Sequence, residues 1–325
     1  MLLPDLPAQP PNAPALPTGE WLNGPAVSLT ALRGRVVALY FWHYTSLHAL
    51  HMLAELHRWQ QRYDLAFVGI HVPRRSFERE TAQVAQTLAD LGLSHPTLLD
   101  NTLAAARTFG LPALPYVYLI DARGQIVDHS AAPLGALERT LTRLLAESSR
   151  TSALPPAPER TLDIHELHTG ATLGVLGNAE GYAVHAPMLY RLPQQRRIGR
   201  FYVEGAWRAA EERITYEGTT EGTIYLPYRA VEVYAILSPH HELIDRLLHA
   251  EPTALEVWQD GGPLADAQRG DDLTVDGRVL VERPRLYHLI RSDGREPHEL
   301  TLRVRTGGLS LYGFVVCGTG QPEAR

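Results

Sequence analysis

The sequence predicts two domains of different class: an α/β layer domain, with a central mixed sheet flanked by helices, followed by an all-β sandwich of the jelly-roll kind. Three observations predict this. Between residues 36 and 148, compact apolar runs of strand length alternate with longer segments whose apolar residues recur at helical spacing. Between Ser148 and Arg160 the composition shifts to SSRTSALPPAPER, which reads as a linker. Beyond Phe201 the helical period is lost, and short runs rich in β-branched and aromatic residues are separated by Gly, Asp and Pro. The boundaries that follow are a Pro-rich arm over 1–18, the α/β domain over 19–148, the linker over 149–160 and the sandwich over 161–325.

Taken in order, Met1–Pro17 is interrupted repeatedly by Pro and is expected to be an extended, loosely held arm. Asn23-Gly24 and Arg33-Gly34 punctuate the next stretch like turns. Val36–Trp42 is an unbroken apolar strand; a short HYT link leads into a helix marked by Leu47, Leu50, Leu53, Ala54 and Leu56. Leu65–Val72 is a second strand and Ser76–Leu91 a helix, ended by the sequence Leu93-Ser94-His95-Pro96. Thr97–Asp100 is a short strand and Thr102–Phe109 a helix. Tyr116–Ile120 and Gln125–His129 form a hairpin around the turn Asp121–Gly124, and Pro133–Ser148 closes the domain as an amphipathic helix. In the second half the strands expected are Phe201–Trp207, Arg213–Tyr216, Gly222–Leu226, Val231–Leu237, Ala254–Trp258, Arg285–Arg291, Leu300–Val304 and Leu309–Val316, with one helix at Glu242–His249.

Composition excludes several classes of function. A formal charge of -6 over 325 residues, with no basic cluster, argues against nucleic acid and acidic membranes as partners. No apolar run reaches membrane-spanning length and the N-terminus lacks a signal-peptide pattern, so the expected location is the cytoplasm. The single cysteine, Cys317, permits no intrachain disulfide, in keeping with a reducing compartment. All 30 basic residues other than histidine are Arg, so no phosphate loop ending in Lys exists, and the Gly-x-Ser-x-Gly elbow of hydrolases is also missing.

Two stretches carry a resemblance. Residues 20–53, EWLNGPAVSLTALRGRVVALYFWHYTSLHALHML, and 95–124, HPTLLDNTLAAARTFGLPALPYVYLIDARG, resemble the thioredoxin-like TlpA and DipZ proteins and the thioredoxin domain of NHL-repeat proteins, within the AhpC/TSA-redoxin superfamily. The likeness covers about Gly19–Ala146. The second half, through RPRLYHLIR (283–291) and LSLYGFVV (309–316), is similar to the carbohydrate-binding-module-like sandwich of DipZ. The resemblance implies a thioredoxin fold, thiol-disulfide exchange, and an active-site loop Pro at Pro115 whose peptide bond is cis and which presents backbone groups to an extended peptide. It also implies a W-T-Y-x-C-x-x-C-type motif at Trp42–Ala49, where this chain has Ser46 and Ala49. The buried acid of the family is replaced by Tyr40.

Dithiol exchange needs a thiolate to attack and a second thiol to resolve the mixed disulfide, and serine has neither the acidity nor the S–S couple. The expectation is therefore a redox-inactive binding or scaffold protein, needing no cofactor, with a binding cleft of Trp42, His43, Tyr44, Thr45, Ser46, Leu114 and Pro115 that takes a protein, a peptide or a small thiol. Ser46 reads as the helix N-cap, with Thr45 as competitor. The competing enzyme reading holds a glutathione-like thiol cofactor through Ser46, with Tyr44 as second donor. His43, His48 and His51 crowd this turn, but no acid or Cys accompanies them at close spacing and they read as polar helix-face residues rather than metal ligands. In the sandwich, Trp207, Tyr216, Tyr225, Tyr228, Tyr234, Trp258, Tyr287 and Tyr312 are enough aromatics for a glycan platform, and alternation requires many of them to point into the core.

Overall fold

The computed structural model describes residues 11–131, 134–147, 162–240 and 252–319, which fall into two units, Met1–Thr161 and Leu162–Arg325. The linker at 149–160 and the helix expected at Glu242–His249 lie outside the described residues.

In the first unit, β1 (Glu20–Leu22), β2 (Val36–Trp42), β3 (Leu65–His71), β4 (Thr97–Leu99), β5 (Tyr116–Ile120) and β6 (Ile126–Ser130) form one sheet in the order β1-β4-β3-β2-β5-β6. The middle of the sheet is parallel, β2 with β3 and β3 with β4, and the flanks are antiparallel. β2 and β3 are buried at every residue, as continuous apolar runs covered on both faces must be. Helices α1 (Leu47–Arg62), α2 (Thr81–Asp90), α3 (Ala104–Thr108) and α4 (Gly135–Glu147) complete the unit. The mixed sheet with helices is a thioredoxin-like fold.

Three details differ from the sequence reading. The face that α1 buries is Leu47, Ala49, Met52, Leu53, Leu56 and Trp59; Leu47, Leu53 and Leu56 are as expected, while Ala54 is exposed, because the large Trp59 and Met52 side chains set the stripe. The helix expected over 76–91 is broken: Ser76–Arg79 is a 3-10 turn, Glu80 is extended, and α2 starts at Thr81. The break lets Phe77 and Glu78 both turn inward, with Glu78 fully buried. Residues 11–17 are not a loose arm. Asn12 bridges Gln125, the Ile126 N–H donates to the Pro11 carbonyl at 2.8 Å, and Ala13 and Leu16 pack on the core.

The second unit carries β7 (Leu162–His168), β8 (Met188–Tyr190), β9 (Tyr202–Ala209), β10 (Ile214–Tyr216), β11 (Gly222–Tyr228), β12 (Glu232–Ser238), β13 (Thr253–Gln259), β14 (Gly262–Pro263), β15 (Arg278–Val281), β16 (Arg285–Arg291), β17 (His298–Val304) and β18 (Ser310–Thr319). All pairing is antiparallel, and β9 joins two halves: residues 202–204 pair with β11, and residues 207–209 with β10. Gly205, between them, has φ +100°, and a Cβ there would stand 3.0 Å from the Glu221 carbonyl, so only glycine fits where the strand changes sheets. The halves β14-β13-β17-β11 and β10-β18-β12-β16 share one core, in which Leu255, Leu302 and Ile224 from one meet Val233, Leu289 and Phe314 from the other. This is the expected sandwich. Five strands, β1, β7, β8, β14 and β15, escaped the sequence reading because they are short or polar edge pieces whose pattern is too weak to announce them.

Candidate functional site

The site expected from sequence lies where β2 runs into α1. Ser46 is extended (φ -91°, ψ 113°), and its hydroxyl oxygen accepts the Ala49 N–H at 3.1 Å, so Ser46 is the N-cap. Thr45 does not compete. Its hydroxyl donates to Glu78 Oε1 and accepts from Arg75 Nη1 at 2.7 Å.

The Leu114–Pro115 bond is cis. The antiparallel register that ends at Phe41–Tyr116 sets this bond alongside the Trp42 end of β2, next to the turn into α1. The structure thus brings the Ser46 turn and the Pro115 loop to one end of the sheet. It does not open the rest of the expected cleft: Trp42, His43, Tyr44 and Thr45 are at most 6% exposed, and Pro115 is buried too. Trp42 packs edge-on against His71 at 5.3 Å, its partner in the β2–β3 register, and Tyr44 stacks on His71 at 5.7 Å. Tyr44 is therefore core and is not a second donor beside Ser46. Ser46 and Leu114 remain partly exposed.

Beneath the turn lies a buried polar cluster that the sequence reading missed. Glu78 accepts the Arg74 and Arg75 N–H groups on one carboxylate oxygen, at 2.5 and 3.0 Å. Its other oxygen takes the Thr45 hydroxyl and lies 3.2 Å from His43 Nδ1 and 3.8 Å from Arg75 Nη1. Burial by itself would push the Glu78 carboxyl up. The charge and hydrogen bond of His43, then Arg75 and His71, outweigh that and hold it far below the usual carboxylate range. The only hint in the sequence is the i,i+3 pair Arg75 and Glu78, which a continuous helix would have placed at the surface.

His71 is fully buried, and neither of its ring nitrogens has a hydrogen-bond partner among the described residues. Desolvation lowers it to about 4, so the ring is neutral at physiological pH. His48 is partly exposed on α1, and burial lowers its pKa. Among the described residues no three His, Cys, Asp or Glu side chains gather as a metal site. Tyr40 donates its hydroxyl to the Ala49 carbonyl at 2.7 Å; burial pushes its ionisation well above the normal phenol range. It is a hydrogen-bond donor and no base.

Residues 12–129 match the AhpC/TSA family and residues 171–315 match the thioredoxin-like C-terminal domain. The chain joins these two domains. It is similar to Protein DipZ of Mycobacterium tuberculosis, 28% identical over 233 residues that cover 67% of this chain and 33% of that protein. It thus spans about a third of the length of DipZ. Thiol-disulfide oxidoreductase YkuV of Bacillus subtilis is 25% identical over 137 residues, 40% of this chain and 93% of that protein. The solution structure of a thioredoxin-like protein in the oxidized form is 26% identical, covers 43% of this chain and 96% of its own, and superposes with a TM-score of 0.39. The chain has one cysteine, Cys317, in β18 of the second unit, and so no C-x-x-C pair.

Proposed function

We propose that this chain is a redox-silent member of the thiol-disulfide oxidoreductase lineage, a pseudo-oxidoreductase whose first unit binds or supports a protein or peptide partner at the Ser46–Pro115 end of its sheet. The carrying observation is the Ser46 cap. At the position of the attacking sulfur stands a hydroxyl whose oxygen is already engaged by the Ala49 N–H, and at the resolving position stands a methyl group. A hydroxyl at a helix N-terminus gains about 1 kcal/mol at most from the dipole, far short of what ionising an alcohol at neutral pH requires. The Tyr40 hydrogen bond supports the same reading, since a phenol whose ionisation burial pushes well above the normal range takes up no proton at neutral pH.

The thiol-cofactor reading through Ser46 loses its proposed second donor, because Tyr44 is buried against His71. Placement in the cytoplasm is supported by the single cysteine; among the described residues no helix is long and apolar enough to cross a membrane.

An insulin-reduction assay on the pure protein tests the silence: no turnover above background is expected, and appreciable turnover refutes the reading. The double variant Ser46→Cys/Ala49→Cys should form an intramolecular disulfide and gain turnover, since Ser46 caps α1 and Ala49 lies in its first turn. If that disulfide fails to form, the site geometry is not that of the family.

A further inference from the structure

Charge is sorted between the two ends of the first sheet. β2, β3 and β4 run parallel and β5 antiparallel to β2, so the loops after β2, β3 and β4 and the loop before β5 all lie at the Ser46–Pro115 end. Residues 42–53 and 101–115 contain no Asp or Glu, and residues 72–79 contain only Glu78, which is fully buried beside His43 and Arg75. The same loops carry Arg74, Arg75, Arg79 and Arg107. The whole chain has a formal charge of -6, so this end departs from the rest. At the opposite end both signs occur together: Arg35 holds Asp64 at 3.2 Å, and Asp121 shares a turn with Arg123.

Two of these arginines are engaged within the fold. Arg75 donates through Nη1 to the Thr45 hydroxyl at 2.7 Å, and Arg79 donates to the Asn101 carbonyl. The other two face solvent. Arg74, next to Arg75 in the loop after β3, is exposed near the Ser46 turn, and Arg107, in the last turn of α3 ahead of the Pro115 loop, is exposed as well. Neither is ion-paired among the described residues. The remaining acids of this end are engaged or distant. Asp100 is 2% exposed and accepts the Ala105 and Ala106 N–H groups at 3.0 and 2.8 Å. Glu20, at the β1 edge, accepts the Thr81 hydroxyl at 3.0 Å, and Glu80 directly precedes Thr81. β1 is three strands from β2, a separation of about 14 Å.

We propose that the partner docked at this end is an acidic peptide segment of another protein, its Asp or Glu carboxylates set on Arg74 and Arg107 and its apolar side chains on Leu111 and Leu114. The inference rests on the reading of the Ser46–Pro115 end as a docking surface and adds the chemistry of the occupant. A guanidinium takes a carboxylate through two parallel N–H···O bonds, and the loops around β2 and β5 hold no exposed carboxylate to repel one. A second copy of the chain, meeting this one through the same end, would set arginine against arginine. Leu111 and Leu114 are partly buried against the core, so they offer a surface for side chains rather than a tip that inserts into lipid.

The test is selection of a phage-displayed library of random dodecapeptides on the full chain at low salt, followed by fluorescence anisotropy with the enriched peptides made synthetically. Enriched peptides are expected to carry net negative charge and to bind more weakly as salt rises. Arg74→Gln and Arg107→Gln, both changes on exposed side chains, should each weaken them about threefold and the double variant about tenfold. Arg123→Gln, at the other end of the sheet, should leave affinity unchanged. Acidic peptides that ignore Arg74→Gln and Arg107→Gln would overturn the proposal. So would retention of the chain on phosphatidylglycerol vesicles with loss of that retention in the same two variants, which would make a membrane the occupant. Enrichment of neutral or basic peptides that lose affinity in Leu114→Ala would overturn it while keeping the docking reading; enrichment of no peptide at all would end both.

Discussion

Tyr40 Oη donates to the Ala49 carbonyl at 2.7 Å, tying the middle of the central strand to the first turn of α1. Tyr40→Phe deletes the donor without changing the packing shape. It should lower stability by about 1 kcal/mol, and the thermal midpoint by about 2–4 °C. Differential scanning calorimetry measures both, and an unchanged midpoint would show that the bond contributes nothing.

Glu78 is the centre of the cluster that pins residues 43–45 to the loop at 74–75. Glu78→Ala removes the acceptor of the Arg74 and Arg75 N–H groups and of the Thr45 hydroxyl, together with the negative charge facing Arg75, and should cost about 3–5 kcal/mol. Glu78→Gln keeps an acceptor oxygen and should cost less. Urea unfolding of the full chain resolves the two, with the sandwich transition as an internal reference. Equal, small losses would mean that the cluster is solvated.

Two buried histidines make the first unit acid-sensitive. Desolvation lowers His71 to about 4; desolvation, with the charge of His57, lowers His95 to about 4. The folded-state values lie below the unfolded value of 6.5, so the unfolded chain binds more protons between these limits. Their stabilisation is complete above pH 6.5 and is lost as pH falls toward 4, by up to about 3 kcal/mol for each ring. Glu78, whose folded value is also depressed, adds its own loss only below its unfolded value of 4.5. Denaturant titrations at pH 7.5, 5.5, 4.5 and 3.5 should show this two-stage decline. His95→Phe, which keeps a ring against Phe67, should flatten the first stage.

Cys317 is 1% exposed, and burial, reinforced by Glu232 and Asp163, pushes its thiol up to about 11. The native protein at pH 8 should therefore react with a disulfide reagent orders of magnitude more slowly than the same chain in urea. Stoichiometric labelling of the native chain within minutes would contradict the burial.

Much of the fold was legible because its signals are local. Val36–Trp42 and Leu65–Val72 are unbroken apolar runs, and such runs form strands buried on both faces wherever they pack. The turn at Asp121–Gly124 announced itself by residue chemistry, and Asp121 does accept the Arg123 and Gln125 N–H groups. The segment 76–91 misled because Phe77, Val84 and Leu88 fit one helical stripe. Nothing local says that Glu78 is drawn inward to His43 and Thr45, which lie in the turn after β2.

The sequence by itself determined that sulfur is absent from the end of the sheet where this architecture performs exchange, since residue identity alone settles what chemistry Ser46 and Ala49 can support. Which hydroxyl caps α1, which of the eight sandwich aromatics are interior, and that Trp42 to Thr45 are buried were decided only by tertiary structure. Strand order and register set which side chains share a face, and those pairings join residues far apart in the chain.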